Sequence, residues 1–356
     1  MFGYAFVSVQ ESTGRAWIAR YAGAMSSSPA RHQPSAAVVY HPLKTDLAAL
    51  RATVTAQEQV AGWAPTRWYE TEEADAGVGA TRQAMADGAS LVMASGGDGT
   101  IRAAAEALRG SGIPLALVPQ GTGNLLARNL GVPLGRFEDC VRAAFFGRGR
   151  TIDLGIATIV RADDTEDEHA FLVLAGMGLD ARTISTTQAS LKKRLGWLAY
   201  VDAGVRTMLK ERPLEIHYSV DGAPASHLSV YTVMIGNCGL MPGGVLLIPD
   251  AKFDDGLLDV VALRPLGPFS WLRIWNKIGW ENGVLRKTKT GRKLIDLVND
   301  TKSVTYLQTR RFALSVTTPE PVQLDGDDFG LATAVNGAVA PGALVVRVLP
   351  EWVGHG

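Results

Sequence analysis

The residue types able to do chemistry gather in a few short stretches. SGGDGT (95–100) and QGTGN (120–124) are glycine loops, each following an apolar run and opening a helical one. Glycine lets the main chain approach a phosphate with no Cβ in the way. A helix N-terminus adds unpaired N–H groups and the positive end of the dipole. Gly96, Gly97, Gly99 and Thr100 form one loop, and Gly121, Thr122, Gly123 and Asn124 the other. Together they suit a phosphate chain held between them. Asp98 is the odd residue, because a carboxylate facing a phosphate repels it. It either holds Mg²⁺ through water, orients the loop, or caps the helix. DDGLLDV (254–260) and LDGD (324–327) also carry carboxylates, and by themselves Asp255-Gly256 and Asp325-Gly326 read as hairpin turns. No G-x-x-x-x-G-K-[ST] loop is present, which excludes an ordinary P-loop site. FLVLAGMGLDA (171–181) holds a G-x-G-x-x-A match at Gly176, Gly178 and Ala181, with Asp202 beyond it. The run that follows, LKKRLGWLAYVD (191–202), does not read as helix then strand, so a dinucleotide fold is poorly supported.

The elements around these loops alternate. AAVVY (36–40), RWYE (67–70), SLVMA (90–94) and PLALVP (114–119) read as strands. Helical patterns lie between them: Leu47, Leu50 and Val54, then a run to about Asp87, then IRAAAEALRG (101–110), with LLARNL (125–130) after the last. Strands alternating with helices predict a parallel sheet covered on both faces, with ligands at the carboxyl ends of its strands. After TIDLG (151–155) the rhythm changes. RADDTEDEH (161–169) reads as a polar loop. FLVLAG (171–176), LEIHYSV (214–220), LSVYTVMIG (228–236), LLDVVAL (257–263), SVTYLQ (303–308), RFALSVTT (311–318) and ALVVRVL (343–349) read as strands joined by turns such as DGAP (221–224). That pattern predicts an antiparallel β-sandwich, interrupted by helices near 189–210 and 268–284.

Bulk composition sets outer limits. The chain has 356 residues, 47% hydrophobic and 20% charged, which suits two globular domains. Lys plus Arg equals Asp plus Glu, so overall charge favours no nucleic-acid partner. Two cysteines, Cys140 and Cys238, have neither disulfide nor metal-ligand spacing, and they favour a reducing, cytoplasmic setting. No apolar run reaches the roughly 18 residues that span a bilayer, and the N-terminus lacks the apolar core of a signal peptide. Residues 1–35 read as a flexible extension, with Met25 an alternative start.

GGDGT (96–100) followed by PQGTGNLLAR (119–128) resembles the two nucleotide motifs of the diacylglycerol kinase and sphingosine kinase-like lipid kinases. GGDGT alone also fits NAD kinases of the same superfamily; P-x-G-T-x-N points to lipid kinases. The resemblance continues through IDLG (152–155), GLDA (178–181), GNCGLMPGG (236–244), DDGLLDV and LDGD, and so covers nearly the whole chain from about residue 36. It implies an α/β nucleotide-binding domain with an NAD kinase/phosphofructokinase-like parallel sheet over 36–153, then a β-sandwich acceptor-binding domain over 154–337, with 338–356 returning to the first. The active site would lie in the cleft between them. The implied activity is transfer of the ATP γ-phosphoryl group to a lipid hydroxyl, diacylglycerol first, with a sphingoid, glycolipid or NAD acceptor, or a silent nucleotide-binding protein, as alternatives.

Carried over by position, the resemblance implies nucleotide contacts from Gly96, Gly97, Asp98, Gly99, Thr100, Arg102, Gly121, Thr122, Asn124 and Thr71. HPLKT (41–45) stands for the family's N-P-x-S-G with only the proline kept, which makes Thr45 a nucleotide contact and leaves Lys44 to supply charge. Arg102 replaces a frequent Asn and Leu125 a frequent Asp. The magnesium loop implies a ligand set of the Asp255 carboxylate with the carbonyls of Lys252 and Leu257. Asp327 stands where the family has its Glu base, and Asp153 matches a carboxylate near metal and phosphates, with a strand-end ion pair as its alternative.

For a lipid partner, 269–293 offers a face. Trp271, Ile274, Trp275 and Ile278 share one helical side, with Arg286, Lys287, Lys289, Arg292 and Lys293 following. Trp beside basic residues suits peripheral contact with the inner face of a cell membrane, while the same helix would also pack on the sandwich. LKKRLGW (191–197) has similar character, and edge strands of the second domain offer a route to a homodimer.

Overall fold

Unbroken apolar runs become a parallel sheet. The computed structural model describes residues 33–178, 213–241, 245–248, 250–263 and 304–352, and the architecture below is that of the unit Ser35–Gly356. β1 (Ser35–Tyr40), β2 (Ala64–Glu70), β3 (Leu91–Gly96) and β4 (Leu115–Pro119) lie in the order β2-β1-β3-β4, all parallel. Every residue of β1, β3 and β4 is buried, which explains the lack of alternation. β2 is the edge strand and carries Pro65, which an edge tolerates because no ladder bond is lost.

Helices α1 (Leu47–Ala61), α2 (Val78–Ala86), α3 (Asp98–Leu108), α4 (Leu125–Asn129) and α5 (Phe137–Phe146) connect and cover these strands. α1 starts at an Asp46 cap whose Oδ1 accepts from Ala49 N (3.1 Å) and stops at Gly62 with φ 69°. It buries Leu50 and Val54 toward the sheet. Its third buried residue, Glu58, accepts from Thr66 N (2.7 Å) and Oγ1 (2.6 Å), so the carboxylate is not left unpaired.

The remaining strands pair with one another antiparallel. They are β5 (Arg148–Val160), β6 (Glu166–Phe171), β7 (Leu174–Met177), β8 (Leu214–Val220), β9 (Ser226–Val230), β10 (Thr232–Gly236), the short pair β11 (Leu240–Met241) and β12 (Val245–Leu246), β13 (Leu258–Leu263), β14 (Val304–Thr309), β15 (Arg311–Leu324) and β16 (Asp327–Val348). Ladders run β14-β13-β10-β7-β15-β16, with β5 on β16, β6 on β5, and the β8–β9 hairpin on β15. The hairpin turns on Asp221 (φ 49°) and Gly222 (φ 78°). Phe171, Met177, Ile235, Leu258, Phe312, Leu324 and Val335 join a second apolar core distinct from the one under the parallel sheet.

β16 links the two layers. Its first half pairs with β15 and β5, the register shifts between Ala340 and Leu344 at Pro341-Gly342, and Val346 then pairs in parallel with Leu115 of β4. Leu344, Val346, Val348 and Trp352 belong to the core of the parallel sheet.

Three local expectations are corrected. The polar run 161–169 is a tight turn followed by β6, whose acidic residues face outward on an edge and so show no apolar alternation. FLVLAG is not one strand, because Leu172 and Val173 leave the ladder and donate their N–H groups to Asp325 (2.8 Å each). Tyr231 likewise separates β9 from β10. The helices expected near 189–210 and 268–284, the basic face at 269–293, LKKRLGW, Ala181, Asp202 and nearly all of 1–35 fall outside the described residues. Among the described residues no helix is long and apolar enough to cross a membrane.

Candidate functional site

The parallel strands all end at one edge, level with one another. Tyr40 is opposite Glu70 and Ser95, and Gly96 is opposite Pro119. The segments leaving that edge are Thr71, HPLKT, GGDGT and QGTGN, and this is where an open parallel sheet receives ligands.

The glycine loops touch. A Cβ on Gly121 would fall 2.8 Å from Gly97 Cα, and Gln120 N donates to Gly96 O (2.7 Å). Any side chain at 121 would force the loops apart. The first bond of α3 runs from Ile101 N to Gly97 O (3.1 Å), so the preceding N–H groups have no intrahelical partner. Lys44 brings its ammonium to the same place, 3.2 Å from where a Gly97 Cβ would sit. Thr100 is buried and folds back over Gly96.

The second loop behaves differently from the first. Asn124 (φ 49°) closes it, with Oδ1 accepting from Gly121 N (3.0 Å) and Nδ2 donating to Gly121 O (2.8 Å). Both oxygens of Asp98 are used to hold it, accepting from Asn124 N (2.8 Å) and Leu125 N (2.5 Å). Two amides at the start of α4, those of Asn124 and Leu125, are therefore filled from within the protein. Asp98 is a cap, but for the helix of the neighbouring loop. Gly123 permits this, since a Cβ there would meet Asp98 Oδ2 at 2.6 Å. Burial holds the Asp98 carboxyl above its ordinary value, and Asp327 nearby adds to the effect against the two amide donors.

HPLKT is fastened to β3. His41 N donates to Ser95 O (2.9 Å), and Thr45 Oγ1 reaches Ser95 O (3.2 Å) and Ser95 Oγ (3.0 Å). The Thr45 hydroxyl is thus bonded within the fold. Thr71 is buried, and its main-chain N–H donates to Tyr40 O (3.0 Å). Thr122 is exposed at the tip of the second loop.

The two aspartates of LDGD part company. Asp325 is buried and accepts from Leu172 N (2.8 Å), Val173 N (2.8 Å) and Leu174 N (3.0 Å). Burial nevertheless pushes its carboxyl up to about 6. Asp327 sits at the start of β16 against α3, with Oδ2 2.7 Å from the Cβ position of Gly99 and 3.3 Å from Arg102 Nη2. Only glycine at 99 allows that approach. Asp153, at the other end of the sheet edge, accepts from Gly256 N and Gly342 N (2.7 Å each), joining the DDGLLDV turn to the bend in β16. Sequence reading missed the Asp325 contacts altogether; no local signal separates its Asp-Gly from an ordinary turn.

Replacing Asp325 by Ala strands two buried N–H groups and a part-buried one, the buried ones costing about 1–3 kcal/mol each. The urea midpoint is expected to fall steeply while the unfolding slope stays the same. The carboxyl's folded value lies above its unfolded one, so its stabilisation is present below the ordinary carboxylate range and is lost as pH rises through about 6. Asp325→Asn, which cannot titrate, should remove that part of the stability–pH curve between the ordinary carboxylate range and about pH 6.

Residues 35–157 match the model of the diacylglycerol kinase catalytic domain, and residues 173–348 match that of the YegS C-terminal NAD kinase beta sandwich-like domain. A probable lipid kinase YegS-like of Pseudomonas fluorescens is 34% identical over 218 residues, which are 60% of this chain and 68% of that protein. The chain belongs to the diacylglycerol kinase-like lipid kinase family. A diacylglycerol kinase of Mycobacterium tuberculosis is 31% identical over 195 residues, 55% of this chain and 62% of that protein. The matched parts of these and similar curated proteins span 53–68% of their own length. A crystal structure of a putative diacylglycerol kinase from Bacillus anthracis shares the fold, with a TM-score of 0.67 at 21% identity over 92% of this chain and 99% of that one. Within the lipid kinase family fold, the touching loops lie in the first matched region and LDGD in the second, so Asp327 meets the GGDGT loop from the second matched region.

Proposed function

We propose that the chain transfers the γ-phosphoryl group of ATP to a lipid hydroxyl, with diacylglycerol as acceptor and phosphatidic acid as product. The observation that carries this is the contact of GGDGT with QGTGN on one side and with Asp327 on the other. Phosphoryl transfer asks for positioning, charge neutralisation and a proton acceptor. In this reading the first-turn amides of α3 and the Lys44 ammonium hold the phosphates, with Thr122 completing the cradle. Asp98 keeps the second loop in place. Asp327 takes the proton from the acceptor hydroxyl. The nucleotide half is 36–153 with the returning 338–356, and the acceptor half is 154–337. A lipid acceptor puts the reaction at a membrane surface.

Magnesium fits the DDGLLDV turn in kind. Asp255 Oδ1 accepts from Leu257 N (3.0 Å), leaving its second oxygen. Burial, helped by the nearby Asp255 and Asp250, pushes Asp259 up to about 6, a crowding that a cation relieves. Among the described residues no three His, Cys, Asp or Glu side chains converge as a metal set, so main-chain oxygens of Lys252 and Leu257 would complete the ligands. There the ion would neutralise charge and brace the turn that Asp153 holds. Magnesium should therefore raise the melting temperature of the wild type, and Asp255→Ala should abolish that rise; an equal rise in the variant counts against this site.

Labelled ATP incubated with total lipid extract tests the activity, with the product identified by mass. Labelled phosphatidic acid supports the full reading. A labelled sphingoid or glycolipid changes the acceptor only, and no labelled lipid removes the proposal.

A further inference from the structure

Arg102 is buried, 8% exposed, on the helix that begins at the glycine loop. Its guanidinium is fixed from several sides. Cζ lies 4.6 Å from the centre of the Phe329 ring. Glu106, one turn along α3, stands 3.9 Å from Nη1. Nη2 is 3.3 Å from Asp327 Oδ2, a partner 225 residues away. Glu106 is itself tied down, accepting from Ala170 N (2.8 Å) and lying 3.7 Å from His169 Nδ1. The His169 ring packs on Phe329 as well, 4.7 Å between centres. Burial acts against the Glu106 charge, but His169, the Ala170 amide and Arg102 together hold its carboxyl below the ordinary value. Nε of Arg102 is buried with no acceptor among the described residues, an unfavourable arrangement that nothing in the core requires.

Asp327 is half-exposed, with a 47% exposed side chain on a short arm, and left alone would sample several rotamers. Arg102 Nη2 holds one of its two oxygens, Oδ2, which lies close over Gly99. We propose that Arg102 is a positioning residue that acts through Asp327, holding Oδ2 so that Oδ1 is presented to the acceptor hydroxyl. Arg102 touches neither nucleotide nor acceptor in this role. The planar guanidinium suits it, since one group stacks on a ring while reaching two carboxylates, which an ammonium cannot do. The inference rests on Asp327 being the base.

Steady-state kinetics with ATP and the lipid acceptor test it in four proteins: wild type, Arg102→Gln, Asp327→Asn and the double variant. Arg102→Gln is expected to lower kcat about 10-fold or more, with the KM for ATP changed less than about twofold. In the Asp327→Asn background the same change should cost nothing further, because its effect passes through the carboxylate. Arg102→Lys, which keeps the charge and guards against a folding defect, should stay within about twofold of Arg102→Gln. A raised KM for ATP at unchanged kcat, or an equal loss of kcat in both backgrounds, overturns the proposal while leaving the base in place. Wild-type turnover in Asp327→Asn, or no lipid phosphorylated by the wild type, overturns the base reading and the proposal with it.

Discussion

Asp98→Ala is expected to lower turnover at least about 100-fold, the cost of displacing a loop by about 1 Å beside a reacting phosphate. Both carboxylate oxygens of Asp98 hold main-chain N–H groups of the second glycine loop, at Asn124 and Leu125. Without them two partly buried amides lose their acceptor, and Gly121 is no longer kept against Gly97. The loss should appear in nucleotide affinity as well as in kcat, since the cradle itself opens. Asp98→Asn retains one accepting oxygen and turns an NH₂ toward the other amide, so it should fall between wild type and Ala. Calorimetric titration with ATP separates the two effects. Unchanged affinity in Asp98→Ala would mean that the loop needs no anchor and that Asp98 acts elsewhere.

Asp327→Ala should cost a similar factor, about 100-fold or more, but in kcat alone. Its carboxylate approaches α3 only because residue 99 has no side chain, and about half of the side chain remains exposed. Nucleotide affinity should therefore stay close to wild type, or rise slightly as a negative charge leaves the neighbourhood of the phosphates. The contrast with Asp98→Ala is the informative part, because a general loss of fold would depress both quantities in both variants. Retained turnover in Asp327→Ala would assign the hydroxyl proton to solvent or to another group.

The parallel sheet and its glycine loops were legible because their signals are local. AAVVY, LVMA and LALVP are buried on both faces and so read as unbroken runs, and glycines after such strands have few other uses. What distinguishes Asp325 from Asp327 was not legible. Both sit in one Asp-Gly-Asp, yet one accepts amides from Leu172–Leu174 and the other faces the nucleotide motif. Their partners are about 150 and 225 residues away, beyond any periodicity. β6 escaped for the opposite reason: an exposed acidic edge strand carries no apolar rhythm to detect. The capping of α4 by Asp98 was half visible, since an Asp at a loop-helix junction signals a cap, but which helix it serves depends on how β3 and β4 lie side by side.

Main-chain amide spectra of the isotope-labelled protein, titrated separately with ATP and adenosine, probe the phosphate cradle most directly. ATP should move the Gly97, Gly99 and Thr122 resonances together, in one saturable process, while adenosine leaves them in place. If those amides stay still as ATP saturates the protein, or respond equally to adenosine, the apposed turns do not hold phosphate and the kinase described above loses its foundation.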